Sequence, residues 1–142
     1  MLRNRVLGVI GLGKVGIEVA RRAIGLDMQV TGYDPFVPEE YASSIGIQLK
    51  SLDDIYKDSD FICLHTPLTE STRGLIGEKQ IAMMKPTVRI LNVARGELID
   101  EQALADAVDK GQVAGAALDV FTKEPPVDSP LLNNPKIITT PH

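Results

Sequence analysis

The sequence contains one glycine-rich segment, GLGKVG at residues 11–16, placed between a strand-like apolar run and a run with helical periodicity. Residues 5–10 suit a buried strand, and apolar residues recur at helical spacing over residues 14–25. Gly11 permits a tight turn, Gly13 leaves room for a molecule to approach the backbone, and Gly16 allows the helix to pack on the strand. This order predicts a strand–turn–helix unit whose turn can hold a pyrophosphate group.

Strand-like and helical runs alternate along the rest of the chain, which predicts parallel βαβ units with right-handed crossovers. Further strands are predicted at residues 28–33, 45–49, 61–64, 88–92, 113–120 and 136–140. Helices are predicted at residues 39–44, 51–57, 77–84 and 101–110, with Ser51 and Asp100 as N-caps. The predicted fold class is α/β, a doubly wound parallel sheet of the Rossmann type in three αβα layers, and residues 1–142 are expected to form one domain.

The bulk composition is that of a globular chain without a basic surface. Hydrophobic residues make up 44% and charged residues 24% of the 142 residues, and the formal net charge is −4. Lys and Arg form no cluster, so neither nucleic acid nor an acidic membrane surface is an expected partner. The single cysteine, Cys63, lies in the apolar run 61–64 and is expected to be a buried, inert thiol, which is compatible with a cytoplasmic location.

Asp34 ends the second predicted strand, 18 residues after Gly16. A carboxylate there can accept hydrogen bonds from the ribose hydroxyls of a dinucleotide. It also repels a 2′-phosphate, and no arginine follows closely, so the sequence favours NAD over NADP. The backbone N–H groups of Lys14 and Val15 are expected to face the phosphates, whereas the Lys14 ammonium either contacts phosphate or stays solvated. The alternatives are a glycine-rich turn without a ligand and a plain turn aspartate before Pro35.

Ligands of an open parallel sheet bind beyond the carboxyl ends of its strands, so polar residues at these ends are candidate site residues. They are His65, Thr66, Arg95, Asp119, Glu124 and His142. Hydride transfer from a 2-hydroxy acid needs a base, and histidine suits this task because its pKa lies near neutrality. Glu124 can orient such a histidine, and Arg95 can pair with a substrate carboxylate. Equally, Arg95 and Glu124 suit solvated loops, and His142 suits a chain end.

Three ordered segments resemble motifs of the D-isomer-specific 2-hydroxyacid dehydrogenases. Residues 92–100 (NVARGELID) resemble the arginine motif of this family, residues 117–126 (ALDVFTKEPP) its glutamate motif, and residues 139–142 (TTPH) the start of its histidine motif. HTPL at residues 65–68 and the glycine turn are similar as well, so the resemblance covers essentially the whole chain. It implies an NAD-dependent oxidoreductase, nearest to family members that oxidise D-3-phosphoglycerate at the start of serine synthesis.

The resemblance implies that His142 is the general acid/base, that Glu124 is its partner, and that Arg95 anchors a small 2-hydroxy or 2-keto acid. The other domain of the family is built from segments before and after this one, so residues 1–142 are expected to be the NAD-binding part of a longer protein. Such a fragment should bind NAD but turn over poorly or not at all. As the last residue, His142 is expected to be frayed.

The resemblance also assigns residues around the cofactor. Asp119 holds the nicotinamide carboxamide and Thr66 lines the site. The backbone at Val93 and Ala94 passes beneath the nicotinamide, while His65 is structural. The implied NAD-binding set is Gly11, Gly13, Lys14, Val15, Gly16, Asp34, Thr66, Val93, Ala94, Arg95, Asp119 and His142, and no metal ligand is expected.

Several alternatives stay open at this point. Lactate, glycerate and glyoxylate are other substrates within the family. Corepressors that sense NAD share the architecture and also keep the arginine, glutamate and histidine. A methyltransferase also has a glycine turn after its first strand, but it does not need these three residues at later strand ends. Family members commonly form homodimers through this domain, to which residues 99–110 are candidates to contribute.

Overall fold

The computed structural model describes residues 1–142 and contains one sheet of seven parallel strands in the order β3-β2-β1-β4-β5-β6-β7. The strands are β1 (Val6–Ile10), β2 (Gln29–Tyr33), β3 (Gln48–Leu49), β4 (Phe61–Leu64), β5 (Arg89–Asn92), β6 (Gly115–Leu118) and β7 (Ile137–Thr139). The helices are α1 (Lys14–Gly25), α2 (Glu39–Ser44), α3 (Leu52–Asp58), α4 (Glu78–Met83) and α5 (Glu101–Asp109), with a 3₁₀ turn at Gly96–Leu98. The chain builds outward in opposite directions from β1 and β4, which creates a topological switch point between these two strands.

The sheet is covered by helices on both faces because alternate residues of each strand point to opposite sides. In β1, Leu7 and Val9 pack in the cluster that contains residues of α1 and α2. Ile10 packs instead in the larger cluster, to which α3, α4 and α5 contribute. In β4, Cys63 joins the first cluster and Ile62 the second. This arrangement confirms the predicted doubly wound sheet in three αβα layers.

Two predicted strands are shorter in the structure because helix ends use part of their residues. β3 was predicted to start at residue 45, but Ile47 donates its N–H to the Ala42 carbonyl at the end of α2. Gly46 in between has a φ of 86°, which turns the chain out of the helix. β6 was predicted from residue 113, but the Val113 N–H is directed to the Ala107 carbonyl of α5.

Local caps agree with the sequence at two helices. The Ser51 hydroxyl accepts the Asp54 N–H at the start of α3, and the Asp100 carboxylate accepts the Ala103 N–H at the start of α5. Cys63 is buried, as expected, and burial raises the pKa of its thiol to about 12. None of the helices combines the length and the apolar character needed to traverse a bilayer.

Candidate active site

All strands run in the same direction, so their carboxyl ends meet at one edge of the sheet. Asp34 directly follows β2, His65 follows β4, and Asp119 follows β6. The glycine turn joins β1 to α1 at the same edge, and the switch point between β1 and β4 opens there. The fold thus gathers at one edge side chains that are far apart in the sequence.

The glycine turn is packed on two sides and open on the third. Gly11 has a φ of 95°, and a Cβ at this position would lie 2.5 Å from the His65 carbonyl carbon. A Cβ on Gly16 would penetrate the Gly11 carbonyl oxygen, so α1 can approach β1 only through a glycine. Gly13, in contrast, has no atom within 4 Å of an added Cβ. The open side of the turn therefore lies at Gly13, at the N-terminus of α1, where backbone N–H groups lack helical partners and favour an anion.

Gly13→Ala is expected to weaken NAD binding without destabilising the fold. Gly13 has φ −75° and ψ −166°, which alanine adopts freely, so the free energy of unfolding should change by less than about 0.5 kcal/mol. The new methyl group stands where a pyrophosphate would approach, and the Kd for NAD should rise about 10- to 100-fold. Calorimetric titration and urea unfolding of the same preparations check both values. Unchanged NAD affinity would show that the dinucleotide does not lie against Gly13.

The Asp34 carboxylate is held between the glycine turn and its own loop. Oδ2 accepts the Leu12 N–H at 2.9 Å, and Oδ1 accepts the Phe36 N–H at 2.9 Å. The carboxylate therefore sits at the mouth of the turn in a defined orientation, with lone pairs left for ribose hydroxyls. The contact with Leu12 was not visible in the sequence, and it gives Asp34 a second task, that of bracing the turn.

The loop that carries Arg95 is organised by Asn92, which is almost fully buried. Its Oδ1 accepts the Ala94 N–H at 3.1 Å, and its Nδ2 donates to the Arg95 carbonyl at 2.9 Å. The Arg95 guanidinium donates to the Ala94 carbonyl at 2.7 Å and keeps further N–H groups for a ligand. Val93 is half exposed at the tip of the loop. From the sequence, Asn92 was named only as the first residue of the segment NVARGELID. A polar residue at the end of an apolar strand was nevertheless a signal that it could hold the following loop.

His142 and Glu124 form a hydrogen-bonded pair. His142 Nδ1 lies 2.7 Å from Glu124 Oε2, and Glu124 Oε1 accepts the Phe121 N–H at 3.1 Å. The bond to Glu124 raises the pKa of His142 above its ordinary value, and the same bond, with that from Phe121, lowers the pKa of Glu124. His142 is the last residue of the sequence and its ring makes this bond in the structure, and the fraying expected of that position stays a prediction.

Asp119 and Thr140 connect the ends of β6 and β7. The Thr140 hydroxyl donates a hydrogen bond to Asp119 Oδ1, and the Asp119 N–H donates to the Asn92 carbonyl at 3.0 Å. Asp119 and Arg95 both act electrostatically on His142, the carboxylate raising and the guanidinium lowering its pKa. The predicted polar residues of β5, β6 and β7 therefore belong to one electrostatic unit.

Two concave surfaces border these groups. The first has a volume of about 490 Å³ and lies between the glycine turn and the loops after β4 and β5. Its lining residues are Val15, His65, Thr66, Pro67, Leu68, Val93, Ala94 and Arg95. The second has a volume of about 620 Å³ and is bordered by Glu124, Pro125, Pro141 and His142 among others. The first surface has the elements expected of a cofactor groove, and the second is bordered by the hydrogen-bonded pair of His142 and Glu124.

His65 lies beneath the glycine turn. Its Nε2 is buried without a hydrogen-bond partner, and burial lowers the pKa of the imidazole, which keeps it neutral. The backbone of His65 touches the Cα side of Gly11, so this residue shapes the floor of the turn. No group of three or more His, Cys, Asp or Glu side chains is arranged to hold a metal ion.

Comparison with known proteins gives a consistent family match. The sequence profile described as "D-isomer specific 2-hydroxyacid dehydrogenase, NAD binding domain" matches residues 1–142. A D-3-phosphoglycerate dehydrogenase of Methanocaldococcus jannaschii is 50% identical over 142 residues, which are 99% of this chain and 27% of that protein. The chain thus spans about a quarter of the length of the curated relatives it matches.

Solved structures with the same fold include a glyoxylate reductase from "Paecilomyes thermophila", with a TM-score of 0.92 and 42% identity over 99% of this chain and 43% of that one. The NAD-complexed D-isomer-specific 2-hydroxyacid dehydrogenase of Lactobacillus delbrueckii ssp. bulgaricus has a TM-score of 0.89 at 32% identity, over 97% of this chain and 46% of that one. The TM-scores show that both share the fold described above.

Proposed function

This chain belongs to the D-isomer-specific 2-hydroxyacid dehydrogenase family, as its NAD-binding domain, and we propose that it serves an enzyme that transfers hydride between NAD and D-3-phosphoglycerate. The observation that carries the proposal is the His142–Glu124 pair, joined at 2.7 Å, at the sheet edge that also holds the glycine turn. Oxidation of an alcohol by a dinucleotide needs a base that takes the hydroxyl proton, and a histidine at the same sheet edge as a dinucleotide-type turn can serve as that base.

The residues of the turn fit NAD. Gly13 leaves open space at the N-terminus of α1 for a pyrophosphate, and the Asp34 carboxylate stands at the mouth of the turn for the adenosine ribose. Lys14 and Val15 would present their backbone N–H groups to the phosphates. When bound, NAD supplies the hydride acceptor or donor, which no side chain of this chain can replace.

His142 would move the proton of the substrate hydroxyl. Its Nδ1 is engaged by Glu124, so Nε2 is the atom left to accept or return the proton. Glu124 stabilises the imidazolium that forms, as the raised pKa of His142 indicates. Arg95 would pair with the substrate carboxylate through the N–H groups that Ala94 leaves free.

The remaining site residues would shape the nicotinamide end of the groove. Thr66, Val93 and Ala94 line the 490 Å³ surface next to the glycine turn. Asp119 would accept from the carboxamide with its second oxygen, since Thr140 occupies the first. Arg95 also lines this surface, whereas Glu124 and His142 border the 620 Å³ surface.

The substrate choice rests on the relatives. Curated proteins about 50% identical to this chain are named D-3-phosphoglycerate dehydrogenase, whereas the solved neighbours, named for glyoxylate, lactate or mandelate, are 42% identical or less. We propose further that residues 1–142 work with a substrate domain from segments outside them, which supplies cations for the substrate phosphate. On this view the 142-residue chain alone turns over little, and the complete enzyme is a cytoplasmic homodimer without nucleic-acid or membrane partners.

Calorimetric titration of this chain with NAD, NADP and S-adenosylmethionine tests the cofactor assignment. Saturable binding of NAD is expected, with weaker binding of NADP because Asp34 repels the 2′-phosphate. In Asp34→Ala the Kd for NAD should rise about 10- to 100-fold, since charge-assisted hydrogen bonds to the ribose are lost. Asp53→Ala, on the exposed face of α3, is the matched control and should bind as the wild type does. Binding of S-adenosylmethionine without NAD would overturn the proposal.

A further inference from the structure

The side chain of Glu101 reaches across from α5 to the loop that carries Glu124. Glu101 Oε1 accepts the Thr122 N–H at 2.6 Å, and Oε2 accepts the Ser129 hydroxyl at 2.7 Å. Thr122 precedes Glu124 by two residues, and Ser129 follows it by five. One carboxylate thus ties down both ends of the segment 122–129.

This segment has little else to hold it. Most of its residues are exposed. Its internal backbone hydrogen bond, from the Val127 N–H to the Pro125 carbonyl, spans only two residues. Its hydrogen bonds to residues outside it are those of Glu124 to Phe121 and His142, those of Thr122 and Ser129 to Glu101, and those that Ser129 accepts from the N–H groups of Leu131 and Leu132. A segment with so few anchors depends strongly on each of them.

The backbone of Glu101 belongs to a helix that is packed into the domain core. It is the first residue of α5, where the helix N-terminus favours a carboxylate, and Asp100 caps the same helix end. α5 is anchored in the core by Leu104 and Val108, both fully buried. The position of the carboxylate is therefore set by the domain core and not by the exposed loop.

The same region meets the arginine loop. A Cβ on Gly96 would penetrate the carbonyl group of Phe121, so the backbone of Gly96 packs directly against the backbone of Phe121. The start of the segment 122–129 therefore lies between Gly96 and the first residue of α5. Its path decides where Glu124 stands relative to Arg95.

We propose that Glu101 is a positioning residue, which through Thr122 and Ser129 holds Glu124 within reach of His142. The inference deepens the proposed function and rests on it, since that function gives the His142–Glu124 pair its task. Glu101 does not line the 490 Å³ surface, so its effect on catalysis is exerted through Glu124. Nothing in the sequence marked it beyond its place after an N-cap.

The pKa of His142 reports directly on this positioning. The charged groups that act on the imidazole are Glu124 and Asp119, which raise its pKa, and Arg95, which lowers it. The hydrogen bond that His142 donates to Glu124 is the largest of these influences. Glu101 borders a separate concave surface, whose other charged lining residues are Arg73, Glu97 and Asp100. If Glu124 moves away, the pKa of His142 must fall toward its ordinary value.

The test is an NMR titration of the imidazole protons in the 142-residue chain. The sequence has two histidines, so His65 serves as the internal reference. Glu101→Ala should lower the pKa of His142 at least about half as far as Glu124→Gln does, because the loop loses both anchors. Glu101→Gln should largely restore the wild-type value, since its amide oxygen can accept from Thr122 and its N–H can donate to Ser129 Oγ.

The controls separate positioning from general damage. Glu78→Ala removes the first residue of α4, an exposed glutamate in the same helix position, and should leave the pKa of His142 unchanged. The Kd for NAD in Glu101→Ala should stay within about twofold of the wild type. If Glu124→Gln lowers the pKa of His142 and Glu101→Ala does not, the positioning role is wrong while the pair stands. If Glu124→Gln itself has no effect, the acid–base pair of the proposed function fails, and the role of Glu101 with it.

Discussion

Gly16→Ala is expected to destabilise the domain by about 3 kcal/mol and to remove measurable NAD binding. The added Cβ would penetrate the Gly11 carbonyl oxygen, which belongs to the backbone and cannot rotate away. α1 would have to move off β1, and the turn that presents its N–H groups would lose its shape. Urea unfolding and NAD calorimetry measure the two effects.

Gly25→Ala provides the matched control for this prediction. Gly25 ends the same helix, and no atom lies within 4 Å of an added Cβ. The substitution should leave NAD binding unchanged and stabilise the domain by up to about 1 kcal/mol, because alanine is the better helix former. If Gly16→Ala is as stable as Gly25→Ala and still binds NAD, the close packing of α1 on the turn is not required.

His142→Gln should lower kcat about 10²- to 10⁴-fold in the complete enzyme, because glutamine cannot take the hydroxyl proton that the proposed mechanism transfers to the imidazole. The Kd for NAD should change little, since the proposed pyrophosphate and ribose contacts at Gly13 and Asp34 do not involve His142. Steady-state kinetics with D-3-phosphoglycerate and calorimetry with NAD measure the two quantities. Lys123→Gln, an exposed neighbour of Glu124, is the control and should keep wild-type kcat. A kcat within tenfold of the wild type in His142→Gln would contradict the assignment of the base.

Glu124→Gln tests the same pair through pH. Glu124 raises the pKa of His142, so the imidazole stays protonated to a higher pH than a free histidine. Oxidation of the hydroxyl needs the neutral form, and kcat/KM should therefore rise with pH through the pKa of His142. In Glu124→Gln this rise should occur at lower pH, with a lower plateau because the imidazolium is less well stabilised. An unshifted profile would show that Glu124 does not control the histidine.

The fold class followed from local patterns. The glycine turn and the alternation of strands and helices predicted the doubly wound parallel sheet, which the structure confirms, and the bounds of α1 and α2 agree with the prediction. These features were readable because periodicity, capping and glycine conformations act over a few residues. The strand ends were less accurate, as at β3 and β6, because helix C-terminal turns compete for the same residues.

The sequence by itself determined which residue types stand at the carboxyl ends of the strands, and the family resemblance gave them roles that remain to be tested. Tertiary structure alone decided which of them meet. The His142–Glu124 bond joins residues 18 apart, and Glu101 reaches Thr122 and Ser129 across 21 and 28 residues. Such contacts depend on how loops are laid over the sheet edge, and no pattern within a single loop encodes that path. Asn92, Thr140 and Glu101 thus became visible as supports of the site only once the chain was folded.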